Sequence, residues 1–274
     1  MELKLWQVDA FSERSLSGNP AAVVPLSSWL DESLMQRIAN ENNLAETAFF
    51  VRRGKGRYDL RWFTPASEVD LCGHATLASA WLIFSELEPG LDSIAFETRS
   101  GTLTVTRNGN DQLAMRLPAD AVSPLDDPAL AGAIGKALHT AAPEALFTGR
   151  YLMAVWPDAA TVRNLSGPGR IADVLKDAGF WGLIVTAPGD KGTGDDGYDF
   201  VSRFFAPAKS VPEDPVTGSA HCMLTPYWAA RLRRKTLKAR QVSPRGGDLL
   251  CTDDDGAIVL SGPCALYMRG TILL

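Results

Sequence analysis

The sequence predicts an α+β chain built from two similar, pseudo-symmetric units, and three observations carry that prediction. First, the stretch from Arg61 to Trp81, RWFTPASEVDLCGHATLASAW, returns in altered form from Arg203 to Trp228, RFFAPAKSVPEDPVTGSAHCMLTPYW. Both copies open Arg-aromatic-Phe-x-Pro-Ala, reach a glycine (Gly73, Gly218) and run on into Ala, Leu and aromatic residues. Second, later landmarks keep step: Gly101 in Arg99-Ser100-Gly101 follows Cys72 by 29 residues, and Gly247 in Arg245-Gly246-Gly247 follows Thr217 by 30. Third, Pro118, Pro124 and Pro128 cluster where one unit would give way to the next. A repeat this long with matching landmarks indicates two folding units, set at residues 1–117 and 118–274, with 263–274 able to pack back on the first. Two such units would face each other across one cleft.

Taken in order, Lys4 to Ala10 reads as a strand, and Ser17-Gly18-Asn19-Pro20 as a turn, because Gly and Asn-Pro interrupt regular structure. Ala21 to Pro25 is a second short strand. Ser28, with Asp31 three residues on, signals a helix start; the helix runs to about Asn42, with Leu34 and Ile38 one turn apart on one face. Thr47 to Arg52 and Tyr58 to Phe63 are strands joined by a turn at Gly54-Lys55-Gly56. The first glycine corner leads into a helix from about Ala75 to Leu87, apolar nearly all round and therefore buried. Ile94 to Thr98, Gly101 to Arg107 and Gln112 to Leu117 are strands, with Asn108-Gly109-Asn110 as a hairpin turn.

In the second unit, Asp127-Pro128 opens a helix to about His139, since proline is tolerated at the first helical position. Strands, a helix near Ile171 to Ala178 and a strand from Gly182 to Thr186 follow. Pro188 to Gly197 reads as an exposed tip, because it lacks the Gly-Lys-Ser/Thr ending of a phosphate loop. Arg203 to Phe205 is the strand matching Arg61 to Phe63, and the helix from about Ala220 to Arg234 matches the buried helix of the first unit. Arg231, Arg233, Arg234 and Lys235 read as a solvated helix end, where cations are favoured. Asp253-Asp254-Asp255-Gly256 is a hairpin turn without the ligand spacing and terminal Glu of a calcium loop.

The bulk numbers narrow the function classes. Hydrophobic residues make up 46% and charged residues 22%, ordinary for a soluble globular protein. A net charge of −5 argues against nucleic acid as the main partner. The opening Met1-Glu2-Leu3-Lys4-Leu5 reads as a strand rather than a signal peptide, and no apolar run is long enough to span a bilayer. Cys72, Cys222, Cys251 and Cys264 form no C-x-x-C pair and read as reduced thiols in a cytoplasmic protein.

Chemistry is expected at the two glycine corners. In each, a strand ends, the chain turns at Gly73 or Gly218, and a long helix starts. A helix start offers unpaired N–H groups and a partial positive charge, and glycine lets a ligand come close. Two such ends would hold a small carboxylate and stabilise an enolate beside it. A single corner is explained as well by a tight turn; two related corners carrying His74 and Ser219 favour a site. Glu46 is the lone charge in the apolar run Leu44 to Phe50. Burial would raise its pKa and let it hold or take a proton near neutral pH; an exposed strand-end carboxylate is the bland alternative. Asp214, before Pro215, is a turn residue or a site residue. Of three histidines, His74 and His221 lie in the repeat, where either could be a satisfied core residue, and His139 is incidental. Cys72 with His74, and His221 with Cys222, lack the spacing of a zinc site. A nucleophilic Cys72 fits better, because a helix start lowers a thiol pKa.

These residues resemble the PhzF-like family, named for the isomerase of phenazine biosynthesis. The resemblance rests on Gly18-Asn19-Pro20-Ala21-Ala22-Val23, Asn43-Leu44-Ala45-Glu46-Thr47-Ala48-Phe49, Arg61-Trp62-Phe63-Thr64-Pro65, Cys72-Gly73-His74-Ala75-Thr76 and Asp214-Pro215-Val216-Thr217-Gly218-Ser219-Ala220-His221, in order from about residue 5 to at least Gly247. It implies the diaminopimelate epimerase fold, in which each of two units is a barrel-like, mostly antiparallel sheet around a central helix. It also implies a cofactor-free, metal-free isomerase of a small carboxylate and a homodimer. By the resemblance, Glu46 falls on the general acid/base. His74, Asp214 and Ser219 fall on supporting polar groups, and Gly73 and Gly218 on the helix starts that receive the carboxylate. In the phenazine enzyme the substrate is trans-2,3-dihydro-3-hydroxyanthranilate, whose proton the glutamate moves between ring carbons. Epimerases of this fold use two cysteines, one per corner; here the second corner has Thr217. The alternatives are a racemase using Cys72 and a binding protein that kept the fold without the reaction.

Overall fold

Alternating apolar runs become strands, and the two apolar stretches after the glycine corners become helices. The protein, a computed structural model, is described for residues 1–109, 112–166, 170–189, 197–209 and 211–274. Most of the tip expected at 188–197, and Asn110 of the expected hairpin turn, lie outside the described residues. The chain divides into two compact units, Met1–Leu117 with Val259–Leu274, and Pro118–Ile258.

The elements in chain order begin with β1 (Glu2–Ala10), β2 (Asn19–Leu26), α1 (Glu32–Asn42), β3 (Glu46–Gly54), β4 (Arg57–Phe63) and β5 (Glu68–Val69). Next come α2 (Gly73–Leu82), β6 (Ser93–Thr98), β7 (Gly101–Arg107) and β8 (Leu113–Pro118). The second unit holds β9 (Ser123–Leu125), α3 (Pro128–Ala137), β10 (Ala145–Thr148), β11 (Leu152–Val155), α4 (Ala159–Asn164), α5 (Ile171–Asp177), β12 (Leu183–Pro188) and β13 (Phe200–Ala206). It continues through β14 (Val211–Asp214), α6 (Gly218–Leu232), β15 (Thr236–Gln241) and β16 (Gly247–Asp254); β17 (Ala257–Gly262) spans the boundary after Ile258, and β18 (Cys264–Leu273) belongs to the first unit.

Within the first unit β18 pairs antiparallel with β1, and β1 with β2. β2 then runs parallel to β3, with α1 in the crossover, and β3 turns back on β4. A second crossover through α2 places β6 parallel to β4, and β6 pairs with β7. The second unit repeats this plan. β10 pairs antiparallel with β11, β11 parallel with β12, β12 antiparallel with β13, β13 parallel with β15, and β15 antiparallel with β16. α6 takes the place of α2.

In the first unit α2 packs on β1, β2 and β3, and the other face of the same strands meets α1 through Ala22, Val24, Leu26, Met35, Ile38, Phe49 and Val51. Strands covered on both faces need no polar side, which is why β2 is apolar along its length. His74 to Ala80 and Leu82 of α2 are all buried, as a helix without a polar stripe requires. The helix carries on through a π turn, Ile83–Leu87. Its buried hydroxyls close on the preceding turn, Thr76 Oγ1 donating to Cys72 O (2.6 Å) and Ser79 Oγ to Ala75 O (2.7 Å).

In the second unit α3, α4 and α5 pack with Leu152, Ala154, Leu183, Val185 and Val201 in one cluster. Pro226 lies inside α6 and has no N–H to give Cys222 O; Asp120 N donates to that carbonyl instead (3.1 Å). The Arg that opens each repeat copy makes the same fork in its own unit. Arg61 donates Nε and Nη2 to Glu68 (2.7 and 2.6 Å), and Arg203 donates Nε and Nη2 to Glu213 (2.7 and 2.9 Å). Each guanidinium lies over the Phe two residues on, at 5.2 Å for Phe63 and 5.1 Å for Phe205.

One expected cap is corrected. Asp31, not Ser28, is the N-cap of α1, its carboxylate accepting from Ser33 N at 2.9 Å. Asn43 closes that helix in the left-handed region (φ 49), and Asp127 caps α3 through Leu130 N at 2.8 Å. The cationic end of α6 is exposed: Arg234 pairs with Asp199, and Lys235 Nζ is 3.1 Å from Asp255. Among the described residues no helix is long and apolar enough to cross a membrane.

Candidate active site

Glu46 is the first residue of β3 and stands in register with Ala21 of β2. Ala21 and Ala48 are fully buried and lie outside the cluster on the α1 face. Glu46 therefore points to the α2 side, since residues two apart on a strand share a face. There it meets His74, in the first turn of α2. Nε2 of His74 is 3.1 Å from Oε2 of Glu46, and the two side chains are 6% and 18% exposed. The pair is close enough for strong attraction, but its angles are not those of a hydrogen bond, so Oε2 and Nε2 both remain available. On the other side of the ring, Nδ1 lies 3.5 Å from Sγ of Cys72.

Electrostatics follow from this packing. Burial alone would depress the His74 imidazole; Cys72 and Glu46, at its two ring nitrogens, more than offset it and raise it well above its ordinary range. Burial, and then the Glu46 carboxylate, push the Cys72 thiol up to about 11. At neutral pH Cys72 is therefore a neutral thiol, and the charge that holds the imidazolium is that of Glu46. This corrects the expectation of an activated Cys72: a helix start favours a thiolate, but burial beside a carboxylate wins. One ligating atom each of Glu46, Cys72 and His74 lies within 4.8 Å of the other two, the one such group that could hold a metal ion among the described residues. The thiol, however, approaches Nδ1 and the carboxylate Nε2, so an ion on either nitrogen would have to draw the opposite partner around the ring.

The second corner is built differently. Gly218 starts α6, and Thr217 is its N-cap without a side-chain cap bond. The Thr217 hydroxyl instead donates to Asp214 Oδ2 (2.5 Å). Gln241, at the end of β15 and fully buried, clamps this turn: its Oε1 accepts from Thr217 N (2.9 Å) and its Nε2 donates to Asp214 O (2.6 Å). Ser219 Oγ shares a hydrogen bond with Tyr151 OH (2.8 Å). Neither Gly73 nor Gly218 is among the residues with positive φ, so backbone conformation does not demand glycine at either corner. Gln241 and Tyr151 carry no local signal in the sequence; Gln241 lies 27 residues beyond the carbonyl it binds.

The sequence profile of the family described as phenazine biosynthesis-like protein, PhzC-PhzF, matches residues 8–270. The chain belongs to this PhzF-like family. A Pseudomonas aeruginosa protein named an uncharacterized isomerase is 48% identical over 274 residues, covering 100% of both chains. The crystal structure of a PhzF-family protein from Enterococcus faecalis superposes with a TM-score of 0.91 at 41% identity, covering 100% of both chains. A hydroxyproline epimerase from Agrobacterium vitis superposes with a TM-score of 0.62 at 9% identity, over 99% of this chain and 92% of that one. That last likeness concerns the fold alone, which is epimerase-like as the resemblance implied.

In this PhzF-like chain His221 is a core histidine. It is fully buried on α6, bonds Thr217 O through Nδ1 at 2.8 Å and lies tilted on Phe200 at 5.9 Å. Burial holds it down to about 4, against the hydrogen bond its Nδ1–H donates to the Thr217 carbonyl, which raises it. Its folded pKa is thus below its unfolded one, and the folded state binds fewer protons between about pH 4 and 6.5. Stability is unaffected by His221 above that window and is lost as pH falls through it, by ~3 kcal/mol in all. Urea unfolding at pH 7 and pH 4.5 should show the loss, and His221→Leu should remove most of that difference while lowering stability at pH 7.

Proposed function

We propose that this PhzF-like protein is an isomerase that shifts a proton within a small carboxylic acid, with Glu46 as general acid/base. The observation that carries the reading is the Glu46–His74 pair: a half-buried carboxylate 3.1 Å from a buried imidazole, with neither facing atom committed to an aligned hydrogen bond. Glu46 takes a proton from a carbon activated by conjugation and returns it to another carbon on the same face. His74 compensates the charge of the carboxylate before the first step and after the second. The helix starts at Gly73 and Gly218 receive the carboxylate and steady the dienolate, with Asp214 and Ser219 as supporting polar groups. The reading needs no cofactor, because one proton leaves a carbon and one is returned to another, with no change of oxidation state. A racemase built on Cys72 is disfavoured: that thiol is pushed up to about 11, and Thr217, its counterpart, already donates to Asp214.

The test is proton exchange in deuterated water, read by NMR over a panel of small carboxylates that includes trans-2,3-dihydro-3-hydroxyanthranilate. The expected result is deuterium at a carbon conjugated to the carboxylate. Exchange confined to an amino-acid α carbon and abolished by alkylation would replace this reading with the racemase.

A further inference from the structure

We propose that Cys72 is a positioning residue, whose thiol holds the His74 ring by Nδ1 and so presents Nε2 to Glu46. The inference rests on the acid/base reading above and adds a residue to it. An imidazole approached by a carboxylate at one nitrogen, without an aligned hydrogen bond, is not fixed by that contact: a half turn about its Cβ–Cγ bond replaces Nδ1 with Cδ2 and Nε2 with Cε1. In this structure the contact at the other nitrogen is Sγ of Cys72, at 3.5 Å. The backbone that carries the sulfur is held in place, since Cys72 O accepts from Thr76 Oγ1 at 2.6 Å and from Thr76 N at 3.2 Å.

A second observation points the same way. Cys72 occupies the N-cap of α2 but makes no cap bond with its side chain. Asp31, Asp127 and Asp158 all cap their helices through their carboxylates. Ser, Thr, Asp and Asn are the residues a helix start prefers, so capping does not account for a cysteine here, whereas a large, uncharged sulfur facing Nδ1 does.

The experiment is 15N-histidine NMR of the whole chain without substrate, with the His74 signals assigned by their absence in His74→Asn. Glu46→Gln first fixes where the Nε2 signal moves when the carboxylate charge is gone. In folded Cys72→Ala the Nε2 signal is expected to shift toward that position, and the Nδ1 proton to exchange faster with solvent. Cys72→Ser provides a second variant: its shorter hydroxyl can cap α2, so it should melt no lower than wild type and still show the Nε2 shift. An Nε2 signal that keeps its wild-type position in either folded variant overturns the proposal. Because no turnover is measured, that outcome is separate from failure of the isomerase reading, which the exchange panel decides.

Discussion

Glu46→Gln is expected to fold as the wild type does and to lose ~10²–10⁴-fold of turnover, about 3–5.5 kcal/mol of transition-state stabilisation. Glutamine keeps the shape of the side chain and removes its basic oxygen. On the proposed reading the loss should fall on kcat rather than KM, because the carboxylate would act on the reacting carbon while the helix starts would carry the binding. The same substitution has an equilibrium signature. With the carboxylate gone, burial dominates at His74, and the imidazole should fall from well above its ordinary range. Its own stability effect changes sign accordingly: a raised His74 stabilises the folded state fully below its unfolded pKa and ceases to do so as pH rises through the folded one. A folded Gln variant that turns over at the native rate would remove Glu46 from the mechanism.

Arg203→Leu is expected to cost ~3–5 kcal/mol of stability, measured by urea unfolding. Arg203 and Glu213 are only 8% and 13% exposed, so the abandoned carboxylate cannot recover its hydration. The loss is deepened because Arg203 Nη1 also donates to Leu165 O at 2.8 Å and Val162 O at 3.3 Å, carbonyls at the end of α4. Arg203→Lys should recover little, since an ammonium cannot form both arms of the fork. Removing Glu213 as well should restore part of the loss, because no lone buried charge remains. Arg61→Leu should cost less. Arg61 is 20% exposed, and Glu68 keeps a second partner in Arg99 at 2.7 Å. Equal costs at Arg61 and Arg203 would mean that burial does not set the strength of these forks.

Features with a local signature were legible before any coordinates. Helices α2 and α6 announced themselves because a helix apolar on every side can only be interior, and the Asp127-Pro128 start because one residue caps while the next fits the first turn. Features set by distant partners were not. The Arg61–Glu68 and Arg203–Glu213 forks are equivalent, yet their spacings differ, 7 residues against 10, and only the bend of the chain equalises them. Gln241 reaches its turn from another strand. At Cys72 a helix start and a buried pocket pull a thiol in opposite directions, and sequence position reveals only the first.

The return of β18 to β1 has a consequence for the order in which the molecule is made. On a ribosome β1 emerges well before its neighbour β18, Cys264 to Leu273, with Pro118–Ile258 synthesised in between. The unit begun first is thus completed last, while Pro118–Ile258 is an uninterrupted segment able to close beforehand. Until β18 has been synthesised, the edge of β1 is an open hydrogen-bonding margin, and that nascent stage is where chaperone protection would matter most.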